Sequence, residues 1–314
     1  MTDRYRYPFP PFPDGWFLLA ESASLGSGDV VPLHYFGKDL VLFRNASGQA
    51  VVLDAHCPHM GAHLGYGGVV EGDGIRCPFH HWHFDDNGRC DDVPYGPAGN
   101  VPDEGVACWP VHETSGLILV HHSSTGVAPT WRMPDKPEWG AAGWVGYETT
   151  GWTVHMHTQE LAENVPDTTH FVFVHNVPTL PTAKVETNGH VYRQRMESHS
   201  ADGVLTFGTT QEAFGLGLVW LDVDGEKGMT FLTSTTPIDD ETVDLRLLFL
   251  VHEGAGATEL SPMGRAMVAS VTENTGRDVP IWEHKVYRER APLVQGDGPI
   301  GVLRKWAKQF YPAA

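Results

Sequence analysis

The chain has 314 residues, of which 41% are hydrophobic, so it can bury the core of one large domain or of two ordinary ones. Lys and Arg number 21 against 39 Asp and Glu, a formal net charge of -18 at pH 7, which argues against binding to nucleic acid or to an anionic membrane. The sequence opens without a basic-then-apolar leader pattern and has no apolar run of bilayer length, so we expect a cytoplasmic protein that does not enter a membrane.

Residues 1–126 predict an all-β domain with an N-terminal extension. Short apolar runs such as VVPLHYF, DLVLFR and GLILVHH are separated by the turn sequences NASGQ and DDNGR. The segment that follows, VAPTWRMPDKPEWGAAGW at 127–144, is rich in Pro, Gly and Ala, and these residues are typical of a linker between domains.

Residues 145–314 predict an α+β domain in which helices flank an antiparallel sheet. TQELAEN and the stretch from SPMGRAM to YRER have the composition of helices. Between them lie the alternating segments HVYRQRMESHS, GVLTFGTTQEAF, GLGLVWLDVD, GMTFLTSTTPI and TVDLRLLFLVHE, which predict strands. The last segment, IGVLRKWAKQF, predicts a helix with one apolar face made by Ile300, Leu303, Trp306, Ala307 and Phe310.

Two short motifs in the first domain combine cysteine with histidine. Cys57-x-His59 is followed after seventeen residues by Cys77-x2-His80. Two thiolates and two imidazoles fit a tetrahedral zinc ion, and they also fit a [2Fe-2S] cluster in which two His replace two Cys on one iron. The flanking strand patterns indicate that both motifs lie in loops at one end of a β-domain.

A second group of metal-ligand residues lies in QELAENVPDTTHFVFVH, residues 159–175. Asp167 and His170 are three residues apart, a spacing that predicts one face of a helix. His175 lies five residues beyond His170, so the two imidazoles can bind one metal only if the helix bulges or ends near Phe173. Two His with one carboxylate form the facial triad of non-haem Fe(II) oxygenases.

The first pair of motifs resembles the Rieske family, whose [2Fe-2S] cluster would be held by Cys57, His59, Cys77 and His80. Respiratory Rieske proteins carry two further cysteines in these loops, whereas this chain has Ala62 and Phe79 there, as in the oxygenase branch. A structural zinc site remains the alternative. The resemblance also implies that Trp82 covers the cluster.

The remaining two cysteines are Cys90 and Cys108. We expect both to be ordinary buried thiols.

The second group resembles the mononuclear-iron motif of Rieske non-haem iron oxygenases. The resemblance implies that His170 and His175 bind a mononuclear Fe(II). It also implies that Asp167 is not a ligand and instead bridges, through hydrogen bonds, a cluster histidine and an iron histidine. Asn164 is expected near the iron as a hydrogen-bond donor.

The same resemblance implies a third ligand, a carboxylate about a hundred residues further along. Asp278, in GRDVPIWEHK, is the first candidate because it lies on a predicted helix that can pack beside the first motif. Glu273 and Glu283 are the alternatives.

Longer segments, GWFLLAES and DVPIWEHKVYRERAPLVQGDGPIGVLRKWAKQFY, resemble the branch with 3-ketosteroid 9α-hydroxylase oxygenases and Neverland-type cholesterol 7,8-desaturases. The resemblance implies a helix-grip (START-like) catalytic domain with a curved antiparallel sheet around an apolar pocket. It further implies a head-to-tail homotrimer that takes electrons from a ferredoxin or a flavin-dependent NAD(P)H reductase. We therefore expect a terminal oxygenase that uses O2 to hydroxylate a bulky, apolar, ring-containing small molecule.

Several functions stay open at this point. The same iron could demethylate, cis-dihydroxylate or desaturate its substrate. The chain could also be a Rieske electron carrier without oxygenase activity, or a lipid-binding helix-grip module. Seven apolar residues are candidates for the pocket wall, although a place in the core is the favoured interpretation for each; they are Phe171, Phe173, Val174, Leu216, Trp220, Phe231 and Phe249.

Overall fold

A computed structural model describes residues 5–97, 101–225 and 227–312. These residues form two compact units. The N-terminal unit comprises Leu18–His122 and Ala128–Arg132, and the C-terminal unit comprises the chain through Phe17, Ser123–Val127 and the chain from Met133 onward. The domain limits predicted from the sequence, 1–126, 127–144 and 145–314, assign the first seventeen residues differently and stay a prediction.

The first 122 residues contain short strands, as the turn-punctuated sequence predicts. The strands are β1 Gly15–Glu21, β2 Val30–Tyr35, β3 Lys38–Arg44, β4 Ala50–Asp54, β5 Val69–Glu71, β6 Gly74–Arg76, β7 His83–Phe84, β8 Cys90–Asp92, β9 Cys108–Trp109, β10 Val111–Thr114 and β11 Leu117–His122. They form three small sheets with the strand orders β1-β11-β10, β2-β3-β4-β9 and β5-β6-β7-β8. The predicted all-β architecture is confirmed.

The core of the N-terminal unit is built from alternate residues of these strands. Phe43 of β3, Leu53 of β4 and Ile75 of β6 are fully buried in one apolar cluster. Cys57 and Cys77 belong to the same cluster and are each 2% exposed. The two cysteines therefore lie at the edge of a rigid, well-packed core.

The C-terminal unit contains the remaining elements. They are β12 Trp144–Val154, α1 Thr158–Asn164, α2 His170–Phe173, β13 Thr182–Asn188, β14 Val191–His199, β15 Leu205–Phe214, β16 Leu218–Val223, β17 Met229–Pro237, β18 Val243–His252, α3 Pro262–His284 and α4 Ile300–Ala307. The strands form one antiparallel sheet in the order β12-β18-β17-β16-β15-β14-β13. The five predicted strands are β14 to β18, which confirms the α+β class.

Two strands of this sheet were not predicted from the sequence. β13, TAKVETN, is an edge strand with mostly exposed side chains, so it lacks the apolar alternation that marks a strand. β12 begins at Trp144, the last residue of the predicted linker, and its many Thr and Gly residues give no apolar repeat.

The long helix α3 packs on the large sheet in the manner of a helix-grip fold. The helix begins after Ser261, whose Oγ accepts a hydrogen bond from Gly264 N at 3.1 Å, and Pro262 occupies its first turn. Val268 of the helix contacts an apolar cluster that includes Phe231 of β17 and Phe249 of β18. Within the described part of the chain, no helix is long and apolar enough to cross a membrane.

Charged side chains hold α1 against the C-terminal segment. The buried carboxylate of Glu163 accepts hydrogen bonds from Arg304 Nε at 3.0 Å and Arg304 Nη2 at 2.6 Å, and a third from the Tyr287 hydroxyl at 2.8 Å. The apolar face predicted for α4 is buried at Leu303, Trp306, Ala307 and Phe310. These contacts fix the end of α1, which directly precedes the second metal motif.

Candidate metal centres and active-site cavity

The two cysteine–histidine motifs form loops of the same shape. In the first cluster loop, residues 57–62, Cys57 O accepts from Gly61 N at 2.9 Å and Cys57 N donates to Ala62 O at 2.9 Å. In the second, residues 77–82, Cys77 O accepts from His81 N at 3.2 Å and Cys77 N donates to Trp82 O at 2.8 Å. The matching pattern means that both cysteines are held by equivalent turns.

The fifth residue of each loop has left-handed backbone geometry. Gly61 has a φ of 75° and His81 has a φ of 59°. Glycine adopts this geometry without strain, and histidine tolerates it better than most residues. The second loop therefore reaches the same fold as the first with an exposed imidazole in place of a glycine.

The donor set of these loops fits a His-ligated [2Fe-2S] cluster. Cys57 and Cys77 are buried, whereas His59 and His80 are half-buried, with ring centroids 4.6 Å apart. Burial raises the pKa of the Cys57 thiol to about 11, and the nearby Cys77 adds to the rise. Such a buried pair of thiols becomes thiolate on binding a metal, because the metal supplies the compensating charge.

Aromatic side chains surround the imidazoles of the cluster loops. The Trp82 ring stacks on His59 with centroids 4.5 Å apart and planes 9° apart. Trp82 Nε1 donates a hydrogen bond to the Tyr95 hydroxyl at 2.7 Å. The stack fixes the ring plane of His59, and the contribution of Tyr95 was not predicted, because no motif marks that residue.

The prediction for the other two cysteines is partly wrong. Cys90 is half-buried and packs against the apolar cluster of the N-terminal unit. Cys108 is exposed, because it lies on β9, a two-residue strand at the edge of its sheet.

The second metal motif is not one helix, so the prediction that Asp167 and His170 share a helical face is wrong. α1 ends at Asn164, two residues before Pro166, because proline lacks an N–H and disfavours helix in the residue before it. Asp167 lies in the turn that follows. Its Oδ1 accepts from Thr169 N at 3.1 Å and His170 N at 3.2 Å, the first N–H groups of α2.

The predicted interruption near Phe173 is confirmed. α2 spans only His170–Phe173, and Asn176 has a φ of 57°, which turns the chain after His175. The turn brings the ring centroids of His170 and His175 to 5.0 Å from each other. On a continuous helix, residues five apart would point in divergent directions.

His170, His175 and Asp278 converge on one point. A ligand atom of each lies within 4.8 Å of the other two, and His175 Nε2 is 3.2 Å from Asp278 Oδ2. The His170 ring is oriented by a 2.6 Å hydrogen bond from its Nδ1 to Asp167 O, which leaves Nε2 for a metal. Asn164 Nδ2 lies 3.2 Å from that Nε2.

The two alternative carboxylates lie elsewhere. Glu273 has a side chain 71% exposed and forms an ion pair with Arg277. The Glu283 carboxylate accepts a hydrogen bond from His155 N at 3.5 Å. Neither Glu273 nor Glu283 belongs to the group of side chains that converge as metal ligands. Asp278, by contrast, is 5% exposed. The geometry therefore favours Asp278 as the third ligand.

Burial and hydrogen bonding act on Asp167 in opposite directions. Burial alone would raise the pKa of this carboxyl, but hydrogen bonds and the charge of His170 together bring the pKa below its usual value. Asp167 therefore carries its negative charge at neutral pH.

A cavity of about 300 Å³ opens beside the three converging residues. The sheet lines it with alternate residues of three strands, which are Phe207, Thr209, Gln211, Val219, Leu221, Val223, Met229, Phe231 and Thr233. Helix α3 lines it with residues at a spacing of three and four, which are Ser270, Val271, Asn274, Thr275, Asp278 and Trp282. The walls are mainly apolar, and Asp278 supplies the charge on the α3 side.

Two of the seven candidate wall residues, Phe171 and Phe231, face the cavity. Trp220 does not, because its neighbours Val219 and Leu221 do and side chains alternate along a strand. Phe173 is 79% exposed. Leu216, Phe249 and Val174 also lie outside the lining.

Comparison with known families gives matches in both halves. Residues 15–110 match the Rieske [2Fe-2S] domain family, and residues 120–311 match the 3-ketosteroid 9α-hydroxylase C-terminal domain family. The second match alone spans more than half of the chain.

Similar proteins extend over nearly the whole chain. A cholesterol 7-desaturase from Bombyx mori is 32% identical over 323 residues, covering 96% of this chain and 70% of that protein. The oxygenase component of a 3-ketosteroid-9-alpha-monooxygenase from Rhodococcus rhodochrous is 31% identical over 328 residues, covering 96% of this chain and 84% of that protein.

Among solved structures, dicamba monooxygenase with non-heme iron and dicamba has a TM-score of 0.69 and 17% identity, covering 95% of this chain and 96% of that one. At this identity the likeness shows a shared fold.

Proposed function

This chain belongs to the Rieske oxygenases with a 3-ketosteroid 9α-hydroxylase C-terminal domain, and on that premise we propose that it is a terminal oxygenase component. It would use O2 and electrons from a ferredoxin or a flavin-dependent NAD(P)H reductase to hydroxylate a bulky, apolar, ring-containing molecule. The observation that carries the proposal is the convergence of His170, His175 and Asp278 at the wall of an apolar cavity.

In this proposal, each set of residues has a defined task. Cys57, Cys77, His59 and His80 hold a [2Fe-2S] cluster, and His170, His175 and Asp278 hold a mononuclear Fe(II). When bound, the cluster supplies single electrons and the iron supplies a redox-active centre with open coordination positions for O2 chemistry. His170, His175 and Asp278 all line the cavity, so an iron held by them would be accessible from it.

Asp167 would link the two metal centres as a hydrogen-bonding bridge. Its Oδ1 is used by Thr169 N and His170 N, and its backbone O accepts from His170 Nδ1. Its side chain is 33% exposed, so the carboxylate can also accept from an imidazole N–H outside this unit. A head-to-tail homotrimer, in which that imidazole comes from a neighbouring subunit, is part of the proposal.

The cavity residues would position the substrate and exclude water. The Phe171 ring lies 5.4 Å from the His175 ring and 6.1 Å from the Phe207 ring, centroid to centroid, and both phenylalanines present apolar surface to the cavity. A ring-containing substrate held against them would have its C–H bonds near the open side of the iron site. Asn164, 3.2 Å from His170 Nε2, would donate a hydrogen bond beside the iron.

Iron content and one variant test the proposal. The purified protein should contain about three iron atoms per chain, two in the cluster and one in the second site. His170→Ala should lower this to about two and abolish product formation, while the cluster keeps its visible absorption and low-temperature EPR signal. His199→Ala, at an exposed position, is the matched control. Loss of the cluster signal in His170→Ala, or full activity with about two iron atoms, would contradict the proposal.

Desaturation is a second candidate reaction, because the similar proteins include both a monooxygenase and a desaturase at nearly equal identity. Mass spectrometry separates the two, since hydroxylation adds an oxygen atom to the substrate and desaturation removes two hydrogens. Steroids, terpenoids and aromatic acids, supplied with a surrogate reductase, form a suitable panel. Demethylation and cis-dihydroxylation would be recognised in the same spectra.

The proposal also includes a cellular location and a role for each domain. We place the oxygenase in the cytoplasm, where an NAD(P)H-dependent reductase can supply electrons. Residues 1–126 would form the cluster domain, 127–144 the linker and 145–314 the catalytic domain.

A further inference from the structure

Two polar side chains in the cavity wall carry an oxygen atom that has no hydrogen-bond partner among the described residues. Thr209 and Gln211, both on β15, are 2% and 3% exposed. Both line the cavity. Thr209 Oγ1 and Gln211 Oε1 are buried and make no hydrogen bond with any residue in the described ranges. A buried polar group without a partner is destabilising, so such groups are rare unless a ligand or water completes them.

The surroundings of this pair would suit apolar residues equally well. Cross-strand pairing places Gln211 opposite Leu221 of β16, and Thr209 opposite Val223. The next strand continues both rows with Phe231 and Met229. Leucine and valine would fit such a wall without an unpaired oxygen.

Gln194 shows what a structural glutamine looks like in the same fold. It lies directly opposite Gln211 on β14 and is fully buried. Its Nε2 donates to Val165 O at 2.7 Å, and its Oε1 accepts from the Tyr192 hydroxyl at 3.4 Å. The two glutamines share a residue type and a sheet row, yet the amide of Gln194 is used by the protein and the Oε1 of Gln211 is not.

We propose that Gln211, assisted by Thr209, is a specificity-determining subsite that hydrogen-bonds one neutral oxygen of the substrate, a ketone or a hydroxyl. The proposal rests on the oxygenase function and names the polar feature its substrate must carry. The unpartnered Gln211 Oε1 can accept from a substrate hydroxyl, and a substrate ketone can accept from the Thr209 hydroxyl or from Gln211 Nε2, so both oxygens fit. A carboxylate does not, because the described residues that line the cavity include no Lys or Arg and include Asp278.

The test compares probes that share one skeleton. Binding of 5α-androstan-3-one, 5α-androstan-17-one, 5α-androstan-3β-ol and the hydrocarbon 5α-androstane is measured by calorimetry on the oxidised holoenzyme, where no turnover occurs. At least one oxygenated probe should bind the wild type about tenfold more tightly than the hydrocarbon, the value of one net hydrogen bond. Equal affinity for all four probes would overturn the proposal.

Gln211→Leu then isolates the side chain. The variant should lose about tenfold in affinity for the preferred probe, keep its affinity for the hydrocarbon, and melt at a higher temperature than the wild type without ligand. Thr209→Val should act in the same direction. Thr210→Val, on the opposite face of the same strand, is the matched control.

Two outcomes of the variant contradict the subsite. Equal weakening of ketone and hydrocarbon would mean that Gln211 acts through packing alone. A lower melting temperature or failure to fold would give the residue a structural task.

Turnover separates this inference from the oxygenase proposal. If the preferred probe binds in a Gln211-dependent manner but is never oxidised with a surrogate reductase, the subsite stands and the oxygenase function fails. If the probes are oxidised but Gln211→Leu leaves their affinities and products unchanged, the function stands and the subsite fails.

Discussion

Asp167 supports the local fold around His170, and it also has the proposed role of linking the two metal centres. Its backbone carbonyl orients the His170 ring, and its carboxylate receives the first N–H groups of α2. One of these tasks needs only the backbone, and the other needs only an oxygen acceptor. The negative charge is therefore dispensable for the local fold, whereas the proposed link to a second imidazole would use it.

Asp167→Asn separates the two tasks. The amide keeps an oxygen for Thr169 N and His170 N, so both metals should stay bound, as iron analysis and EPR would show. Product formed per NADH consumed should fall about 10- to 100-fold or more, the usual cost of losing a group that orients a metal ligand. Asp240→Asn, at an exposed site, is the control. Wild-type coupling in Asp167→Asn would remove the bridging role.

At the scale of elements, α1 depends on the histidine that caps it. His157 Nδ1 accepts from Gln159 N at 3.0 Å, and its Nε2 donates to Pro10 O at 3.2 Å. Burial lowers the pKa of His157 to about 4, well below its ordinary value of 6.5. The folded state therefore holds the neutral ring, and the unfolded state binds the proton more readily.

The sign of the pH dependence follows from this difference. The contribution of His157 to stability is complete above pH 6.5 and is lost as the pH falls toward 4, by about 3 kcal/mol in total. His157→Asn keeps a capping oxygen but cannot titrate, so its unfolding free energy should fall less between pH 7 and pH 4.5. Urea denaturation at both pH values measures the free energy of unfolding, and His199→Asn, at an exposed position, is the control. Parallel pH profiles for wild type and His157→Asn would disprove it.

The turn before α2 is supported by a second element, the loop that leads into α4. The hydroxyls of Thr168 and Thr169 donate to Gly296 O at 3.1 and 2.7 Å. Gly298 has a φ of 81°, and a Cβ on it would lie 2.0 Å from Pro166 O. The loop and the turn are therefore in direct backbone contact, and only glycine fits at that contact.

Gly298→Ala should consequently displace the turn that contains Asp167. We expect loss of iron from the second site and lower turnover, with an unchanged cluster spectrum. Gly301→Ala is a close control, because a Cβ there meets nothing within 4 Å and alanine suits a helix. Iron analysis and EPR of the two variants give the comparison, and full iron content in Gly298→Ala would show that the contact does not support the site.

For the whole molecule, the net charge of -18 predicts that the rate of encounter with a charged electron carrier depends on salt. Attraction between this acidic surface and a basic protein weakens as salt shortens the Debye length from about 30 Å at 0.01 M to about 8 Å at 0.15 M. Oxidation of the reduced protein by cytochrome c, a basic probe, should slow about tenfold over this range. Oxidation by ferricyanide, an anion, should become faster. A salt-independent rate with cytochrome c would show that the net charge does not steer electron transfer.

Local patterns in the sequence determined both metal motifs and most strands of the large sheet. Donor types and short spacings, as in Cys57-x-His59 and His170-x4-His175, gave the two metal motifs, and the spacing required the interruption that occurs after Phe173. Alternation in β14 to β18 gave the strands of the large sheet. These features depend on residues that are near neighbours in the chain, so their geometry follows from the backbone period alone.

Tertiary structure decided which distant residues meet. Asp278 joins His170 and His175 because α3 packs across the sheet, whereas Glu273 on the same helix faces solvent. The spacing of Asp167 and His170 predicted a shared helix, but Pro166 and the loop at Gly298 impose a turn. Gln194 and Gln211 are both polar residues on buried strands, and only the tertiary contacts distinguish them: Gln194 hydrogen-bonds to Val165 O and the Tyr192 hydroxyl, whereas Gln211 lines the cavity. Such contacts join segments far apart in sequence, and their free energy depends on the packing of the whole unit, which no local period specifies.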